Sequence, residues 1–90
     1  MANFFHLCIM TAEGTTVDEA AEYCRLPTAD GSIGILAEHA PMLCAVCEGE
    51  IRCRMEDGRE RRFRVPAGVA SVRDNSVTIL IDRAEELPFR

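Results

Sequence analysis

The stretch PTADGSIGILAEHAP, residues 27–41, joins two turn sequences through a short apolar run. Asp30-Gly31 is typical of a tight reversal, because glycine takes positive φ at little steric cost. The apolar run predicts a short strand, and Gly34 within it indicates a place where another backbone could approach closely. A loop whose conformation is set by so many of its own residues is typical of a contact surface, although a plain link between two strands is the simpler interpretation.

Length and composition restrict the class of protein. The chain has 90 residues, a net charge of −5, 48% hydrophobic residues and 28% charged residues, which is ordinary for one small globular domain. No apolar stretch reaches the roughly 20 residues of a membrane helix, and the N-terminus does not resemble a signal peptide. An acidic chain with one tyrosine and no tryptophan is a poor nucleic-acid binder, so we expect no nucleic-acid partner.

Alternating apolar residues between turn sequences predict seven or more short strands, a pattern typical of a β-sandwich or barrel. The strongest hairpin signal is Asp57-Gly58, which lies between two alternating runs. The apolar residues 42–47 and 77–81 are predicted as buried strands. Residues from Asp82 onward are predicted as a polar tail.

The sequence of residues 17–25 is compatible with either a helix or a strand. Val17, Ala20, Ala21 and Cys24 recur at the spacing of one helix face. The segment is short, however, and isolated short helices are marginal. The alternative is a strand over residues 21–26 that ends at Pro27.

The chain has five cysteines: Cys8, Cys24, Cys44, Cys47 and Cys53. Their odd number and the missing export signal predict a reducing compartment and free, packed thiols. The C-x-x-C pair at residues 44 and 47 allows a zinc or redox interpretation. That interpretation is disfavoured because residues three apart in a strand face opposite ways, and no further ligand pair completes a zinc site. We therefore expect no metal and no cofactor, and a core position for Cys53.

The histidines, His6 and His39, are far apart in the sequence, and no nucleophile motif accompanies either of them. His6 is therefore interpreted as a residue on the surface of a strand. His39 is of interest as a contact residue because of the loop in which it lies.

A group of arginines alternates with apolar residues on two predicted strands and is accompanied by acidic residues. The arginines are Arg52, Arg54, Arg62 and Arg64, and the acidic residues are Glu50, Glu56, Asp57 and Glu60. The mixed signs favour a solvated, self-neutralising sheet face. A site for an anionic partner is the alternative.

A series of segments in chain order resembles the epsilon subunit of F-type proton-translocating ATP synthase. The segments are FHL at 5–7, LPTADG at 26–31, IGIL at 33–36, HAPML at 39–43, GEIR at 49–52, residues 65–72 and RDNSVTIL at 73–80. The resemblance covers residues 4–85. Its most specific part is the run Asp-Gly-x-Ile-Gly-Ile-Leu-x-x-His-Ala-Pro.

The resemblance implies an all-β fold, a small flattened β-sandwich of about ten strands, over residues 1–85, with a tail at 86–90. It implies a non-catalytic rotor subunit in the central stalk. Such a subunit couples the c-ring to the gamma subunit, so that proton-driven rotation yields ATP synthesis. The expected partners are the gamma subunit and the c-ring. The expected location is the cytoplasmic face of the cell membrane, peripheral and without insertion.

The resemblance also implies a contact surface for the c-ring. Its expected residues are Asp30, Gly31, Ser32, Glu38, His39, Ala40, Pro41 and Met42. Ser32 and His39 are the foremost candidates among them. The surface for the gamma subunit is left unassigned.

Several positions depart from the family pattern. Family members often have Pro-Gly where this chain has Ala37-Glu38, and Ser-Gly-Gly where it has residues 66–68. Full-length members continue with two helices that carry inhibitory and nucleotide-sensing behaviour. Because this chain stops at Arg90, we expect no C-terminal helical hairpin and neither behaviour.

The resemblance favours a strand for residues 17–25. The alternative function for the whole chain is a free-standing β-sandwich binding module that uses the arginine-rich sheet face.

Overall fold

The computed structural model describes residues 3–88, which form nine β-strands and no helix. The strands are β1 (Phe5–Thr11), β2 (Gly14–Thr28), β3 (Gly31–Leu36), β4 (Met42–Val46), β5 (Gly49–Met55), β6 (Glu60–Val65), β7 (Gly68–Arg73), β8 (Ser76–Ile81) and β9 (Glu85–Leu87). Within this range, no helix has the length and apolar character needed to cross a bilayer.

Strand β2 is the longest strand and belongs to both layers of the fold. Its first part pairs with β1 as far as Ala21, and its later part pairs with β3 on one side and β5 on the other. The strand order is β4-β7-β8-β1-β2-β5-β6-β9, with β3 added to β2. We call β4, β7, β8, β1 and the start of β2 layer 1, and the end of β2 with β3, β5, β6 and β9 layer 2.

Buried side chains from β1 to β8 meet in one core between the two layers. The largest fully buried ones include Phe63, Leu7 and Ile9. Burial of each such side chain stabilises the fold by about 1.5–3 kcal/mol. In the described residues no charged or polar side chain is buried. The predicted all-β sandwich is confirmed, with nine strands in residues 3–88 where about ten were expected.

Residues 17–25 are a strand, and a β-bulge explains their helix-like spacing. Val17 and Ala21 are buried, and the next buried position is Cys24. The pairing with β5 shifts register between Ala21 and Tyr23. Because a bulge adds one residue to its strand, it moves the inward-facing positions from odd to even numbers. The resulting spacing of four and then three residues imitates one face of a helix.

Strand β2 continues past Pro27 to Thr28, so the prediction of a strand that ends at the proline is wrong. Pro27 pairs with Ser32 of β3, whereas the pairing of β2 with β5 ends at Arg25. Proline has no N–H to donate, and it is tolerated in a sheet where no ladder bond is required of it.

Two apolar strands are only half buried, which corrects the prediction of buried strands at residues 42–47 and 77–81. Leu43 of β4 exposes 75% of its surface, and Leu80 of β8 exposes 51%. Both strands keep alternate side chains in the core. Layer 1 therefore has an outer face that is partly apolar.

The closest backbone approach at a glycine occurs at Gly68 and not at Gly34. A Cβ added at Gly68 would collide with the Ile81 side chain and the Leu80 carbonyl oxygen. At Gly34 it would meet only Tyr23 Cε1, at 3.5 Å, which is ordinary contact. The expectation for Gly34 is therefore wrong. The close approach at Gly68 falls within residues 66–68, where the chain departs from the Ser-Gly-Gly of the family pattern.

The residues predicted as a polar tail contain β9. It pairs antiparallel with β6, with Leu87 opposite Arg62 and Glu85 opposite Arg64. The sheet therefore extends to Leu87.

Candidate functional site

The hairpin between β2 and β3 presents the first part of the predicted contact surface. Ala29 and Asp30 form the turn, and Thr28 pairs directly with Gly31. Gly31 has a φ of +120°, which residues with a side chain rarely adopt. This confirms the predicted reversal with positive φ. Asp30, Gly31 and Ser32 are all exposed.

Glu38 lies in a turn that is tied to the opposite layer. Its φ is +63°, in the left-handed region, at the place where family members often carry glycine. The Glu38 N–H donates to Asn75 Oδ1 at 2.8 Å. Asn75 Nδ2 in turn donates to the Phe4 carbonyl oxygen at 2.9 Å. The backbone here is fixed, while the Glu38 side chain is exposed.

The residues after Glu38 combine anchoring and exposure. His39 is half-buried, and its Nδ1 donates to the Ala40 carbonyl oxygen at 2.8 Å. Ala40 and Pro41 are exposed. Met42 is half-buried and packs against the core. Of these residues, Ala40 and Pro41 offer the most accessible surface to a partner.

The structure places the two parts of the predicted surface at opposite ends of β3. Asp30, Gly31 and Ser32 lie at its beginning, and Glu38 and the residues after it follow its end. A strand of this length spans roughly 17 Å. β3 pairs only with β2, so its other edge is free among the described residues. That edge joins the two ends into one continuous surface.

The connection between β4 and β5 lies beside the hairpin, and sequence reasoning missed it. The Cys47 N–H donates to the Pro27 carbonyl oxygen at 2.9 Å. Glu48, the next residue, is exposed. Since this contact joins residues twenty apart through the folding of the sheet, no local sequence signal marks it.

An apolar patch on the outer face of layer 1 was also missed. Val69, Leu80 and Met10 lie side by side on β7, β8 and β1. Together with Leu43 of β4 they are the large apolar side chains that the described residues expose on this layer. Contiguous apolar patches on protein surfaces commonly mark interaction sites. The signal is present as apolar residues at outward positions, but two of them, Leu43 and Leu80, lie in the runs that are predicted as buried strands.

The cysteines occupy packing positions. Cys24 and Cys53 are fully buried on paired strands, with their Sγ atoms 3.7 Å apart, which confirms the core position of Cys53. The hydrogen bond between these two thiols, together with burial, raises the pKa of Cys24. Burial also raises the pKa of Cys44, which packs against the core. Within residues 3–88 no cluster of three or more His, Cys, Asp or Glu side chains is arranged to hold a metal ion.

Comparison with known sequences gives one family. Residues 4–87 match the family model described as ATP synthase, Delta/Epsilon chain, beta-sandwich domain. The ATP synthase epsilon chain of Desulfitobacterium hafniense is 40% identical over 85 residues, which cover 94% of this chain and 64% of that protein. The epsilon chain of Alkalilimnicola ehrlichii is 38% identical over 79 residues, which cover 88% of this chain and 56% of that one. The chain thus spans less than two thirds of the length of these relatives.

Comparison with solved structures shows the same fold. A chain in the Euglena gracilis mitochondrial ATP synthase, in a structure containing OSCP, F1 and the c-ring, superposes with a TM-score of 0.89 at 20% identity. The match covers 96% of this chain and 55% of that chain. A chain in the central stalk and c-ring structure of the Tetrahymena thermophila mitochondrial ATP synthase gives a TM-score of 0.72 at 16% identity, over 88% of this chain and 63% of that one.

Proposed function

The chain belongs to the family of ATP synthase delta/epsilon chains, and on this premise we propose that it is a non-catalytic subunit of the central stalk. In this role it couples the c-ring to the gamma subunit, so that proton-driven rotation of the ring leads to ATP synthesis on other subunits. The match of residues 4–87 to the family model is the observation that carries the proposal. In this role the chain lies at the cytoplasmic face of the cell membrane, as a peripheral component.

The outer face of layer 1 is the surface that we assign to the gamma subunit. Met10, Leu43, Val69 and Leu80 expose between 41% and 75% of their surface there. A protein-protein interface gains most from apolar side chains at its centre, because their burial removes them from water. The gamma subunit is the partner in the proposed assembly whose docking would cover this face.

The free edge of β3 is the surface that we assign to the c-ring. The expected contact residues lie at both ends of this strand, so they can meet one partner only if β3 lies along that partner's surface. Gly31, Ser32, Gly34 and Leu36 are exposed along the strand, so the edge is accessible over its whole length. The adjacent Glu48 extends the surface at the hairpin end.

Coupling in a reconstituted ATP synthase tests the ring surface. Ser32→Arg and His39→Glu place bulky charged side chains at the two ends of β3. We expect each variant to lower ATP-driven proton pumping relative to ATP hydrolysis, while the circular dichroism spectrum of the isolated chain stays unchanged. Thr16→Arg, at an exposed position near the start of β2, is the matched control.

Full coupling in both variants would contradict the assignment of this edge to the ring. Loss of folding in either variant would show instead that the loop has a structural role. A loss of coupling in only one variant would restrict the ring contact to that end of β3 and contradict the continuous surface.

A further inference from the structure

The outer face of layer 2 carries a row of three arginines on neighbouring strands. Arg25 of β2 lies opposite Arg52 of β5, and Arg52 lies opposite Arg62 of β6. Directly opposed residues in antiparallel strands have Cβ atoms about 5 Å apart. The row therefore spans about 10 Å across three strands. Like charges in this arrangement repel one another and destabilise the free domain.

Carboxylates on the same face compensate this row only in part. Glu50 approaches both Arg52 and Arg62, but each closest N···O distance is 3.4 Å, which is long for an ion pair. Among residues 3–88, Arg25 and Arg64 have no ion pair with a carboxylate. A third arginine–glutamate ion pair on this face is short and does not involve the row: Arg54 Nη2 lies 2.6 Å from Glu60 Oε2. The prediction of a self-neutralising face therefore holds for three of its four arginines, Arg52, Arg54 and Arg62, although the two contacts of Glu50 are long.

Counting the whole face gives an excess of positive charge. The face of β2 after Ala21, β5, β6 and β9 carries five arginines against four glutamates. The arginines are Arg25, Arg52, Arg54, Arg62 and Arg64, and the glutamates are Glu22, Glu50, Glu60 and Glu85. The chain as a whole has a net charge of −5, so this face is opposite in sign to the rest of the molecule.

A shallow recess lies on this face beside the row. It has a volume of about 190 Å³ and is lined by Tyr23, Arg25, Arg52, Arg54, Glu60 and Cys53. Gly34 is the β3 residue opposite Arg25, so no side chain covers Arg25 from that side. The recess is large enough for a carboxylate-bearing side chain and small for a whole organic ligand, since ligand pockets usually measure about 300–1,000 Å³.

From this geometry we propose that the outer face of layer 2 binds an extended acidic segment of a partner protein. Guanidinium groups recognise carboxylates through paired, charge-assisted hydrogen bonds. Acidic residues at alternate positions of an extended segment lie about 7 Å apart, which is compatible with a row that spans about 10 Å. The recess holds one carboxylate near Arg25 and Arg52. The next carboxylate lies beside Arg62, whose Nη2 donates to the Pro88 carbonyl oxygen at 2.6 Å within the domain. This surface is distinct from the two surfaces in the proposed function and does not depend on it.

Binding of a fluorescein-labelled peptide of eight glutamates to the full chain, followed by fluorescence anisotropy, tests the proposal. We expect binding that weakens as the salt concentration rises, because the contacts are between charged groups at the surface. The double variant Arg25→Gln/Arg52→Gln should bind at least tenfold more weakly, since charge-assisted hydrogen bonds are lost. The double variant Arg73→Gln/Arg83→Gln removes two exposed arginines outside the row, at the end of β7 and in the connection between β8 and β9, and should change binding less than twofold.

The melting temperature of each variant separates binding from folding. Because the row is repulsive in the free domain, Arg25→Gln/Arg52→Gln should melt at the same temperature as the wild type or higher. A marked drop would show that the row is structural and would overturn the proposal. Equal losses of peptide binding in the two double variants, no binding by the wild type, or binding of inorganic pyrophosphate in place of the peptide would also overturn it.

Discussion

Arg61 and Glu86 form a bidentate ion pair that ties β9 to β6. Arg61 Nε and Nη2 lie 2.8 Å from Glu86 Oε2 and Oε1, respectively. Arg61 Nη1 also lies 2.9 Å from Glu19 Oε2 on β2, and the guanidinium carbon sits 5.2 Å from the centroid of the Phe63 ring. One half-buried arginine therefore joins three strands at the edge of the core.

We expect Arg61→Gln to lower the free energy of unfolding by about 1–2 kcal/mol, because it breaks two ion pairs and a cation–π contact. Urea unfolding followed by circular dichroism measures this change. Arg54→Gln, which breaks one exposed pair with Glu60, is the control and should have a smaller effect. An effect of Arg61→Gln no larger than that of the control would contradict the role given to Arg61.

The same pair predicts a pH dependence of stability. The hydrogen bonds from Arg61 lower the pKa of Glu86 from its ordinary value. A carboxylate whose pKa is lowered on folding stabilises the fold above its unfolded pKa, about 4.3. That contribution is lost as the pH falls through the lowered folded pKa. Glu86→Gln should therefore be less stable than the wild type at pH 7, and the difference should disappear in acid. Urea unfolding of both proteins across this pH range measures it, and a constant difference would contradict the linkage.

Gly68 has no room for a side chain. We expect Gly68→Ala to destabilise the domain by about 2 kcal/mol, because its Cβ would overlap Ile81 and the Leu80 backbone. Gly34→Ala is the matched control, since its Cβ makes only an ordinary contact with Tyr23. Thermal or urea unfolding of the two variants compares them, and equal stabilities would contradict the close approach at Gly68.

Glu38 has a left-handed backbone conformation that costs a residue with a side chain about 1–2 kcal/mol. Glu38→Gly should raise the free energy of unfolding by about 0.5–1 kcal/mol, because glycine relieves this cost but loses more entropy on folding. The N–H that donates to Asn75 is retained in the variant. Ala37→Gly is the control, because the backbone of Ala37 is not left-handed, and this variant should destabilise the domain. If Ala37→Gly stabilised the domain as much as Glu38→Gly, the explanation would be contradicted.

The sequence carried most of the strand pattern, because alternation and turn residues are local. It did not distinguish helix from strand at residues 17–25, because a bulge near Ala21 imitates helical spacing. A bulge depends on the pairing with the partner strand, which the local sequence does not show. It placed the close backbone approach at Gly34 and not at Gly68 for a similar reason. Both glycines lie in strands, and only the packing of the neighbouring strand decides which one is crowded.

The candidate surfaces were predictable to different degrees. The turn at Gly31 followed from local residue types, whereas the proximity of Cys47 to Pro27 required the folded sheet. The apolar residues of the outer face are visible in the sequence. Leu43 and Leu80 are nevertheless predicted in buried strands, because an apolar run does not show whether one face of its strand is exposed or both faces are buried. The row formed by Arg25 with Arg52 required the register of β2 against β5.

A stalk subunit that docks through layer 1, as proposed, should bind its cognate gamma subunit in solution. Size-exclusion chromatography of the chain mixed with that subunit tests this binding. We predict that the two co-elute, and that Leu43→Arg/Leu80→Arg abolishes co-elution while the variant chain remains folded. Separate elution of the wild-type chain and the gamma subunit, at low and at physiological salt, would contradict the claim.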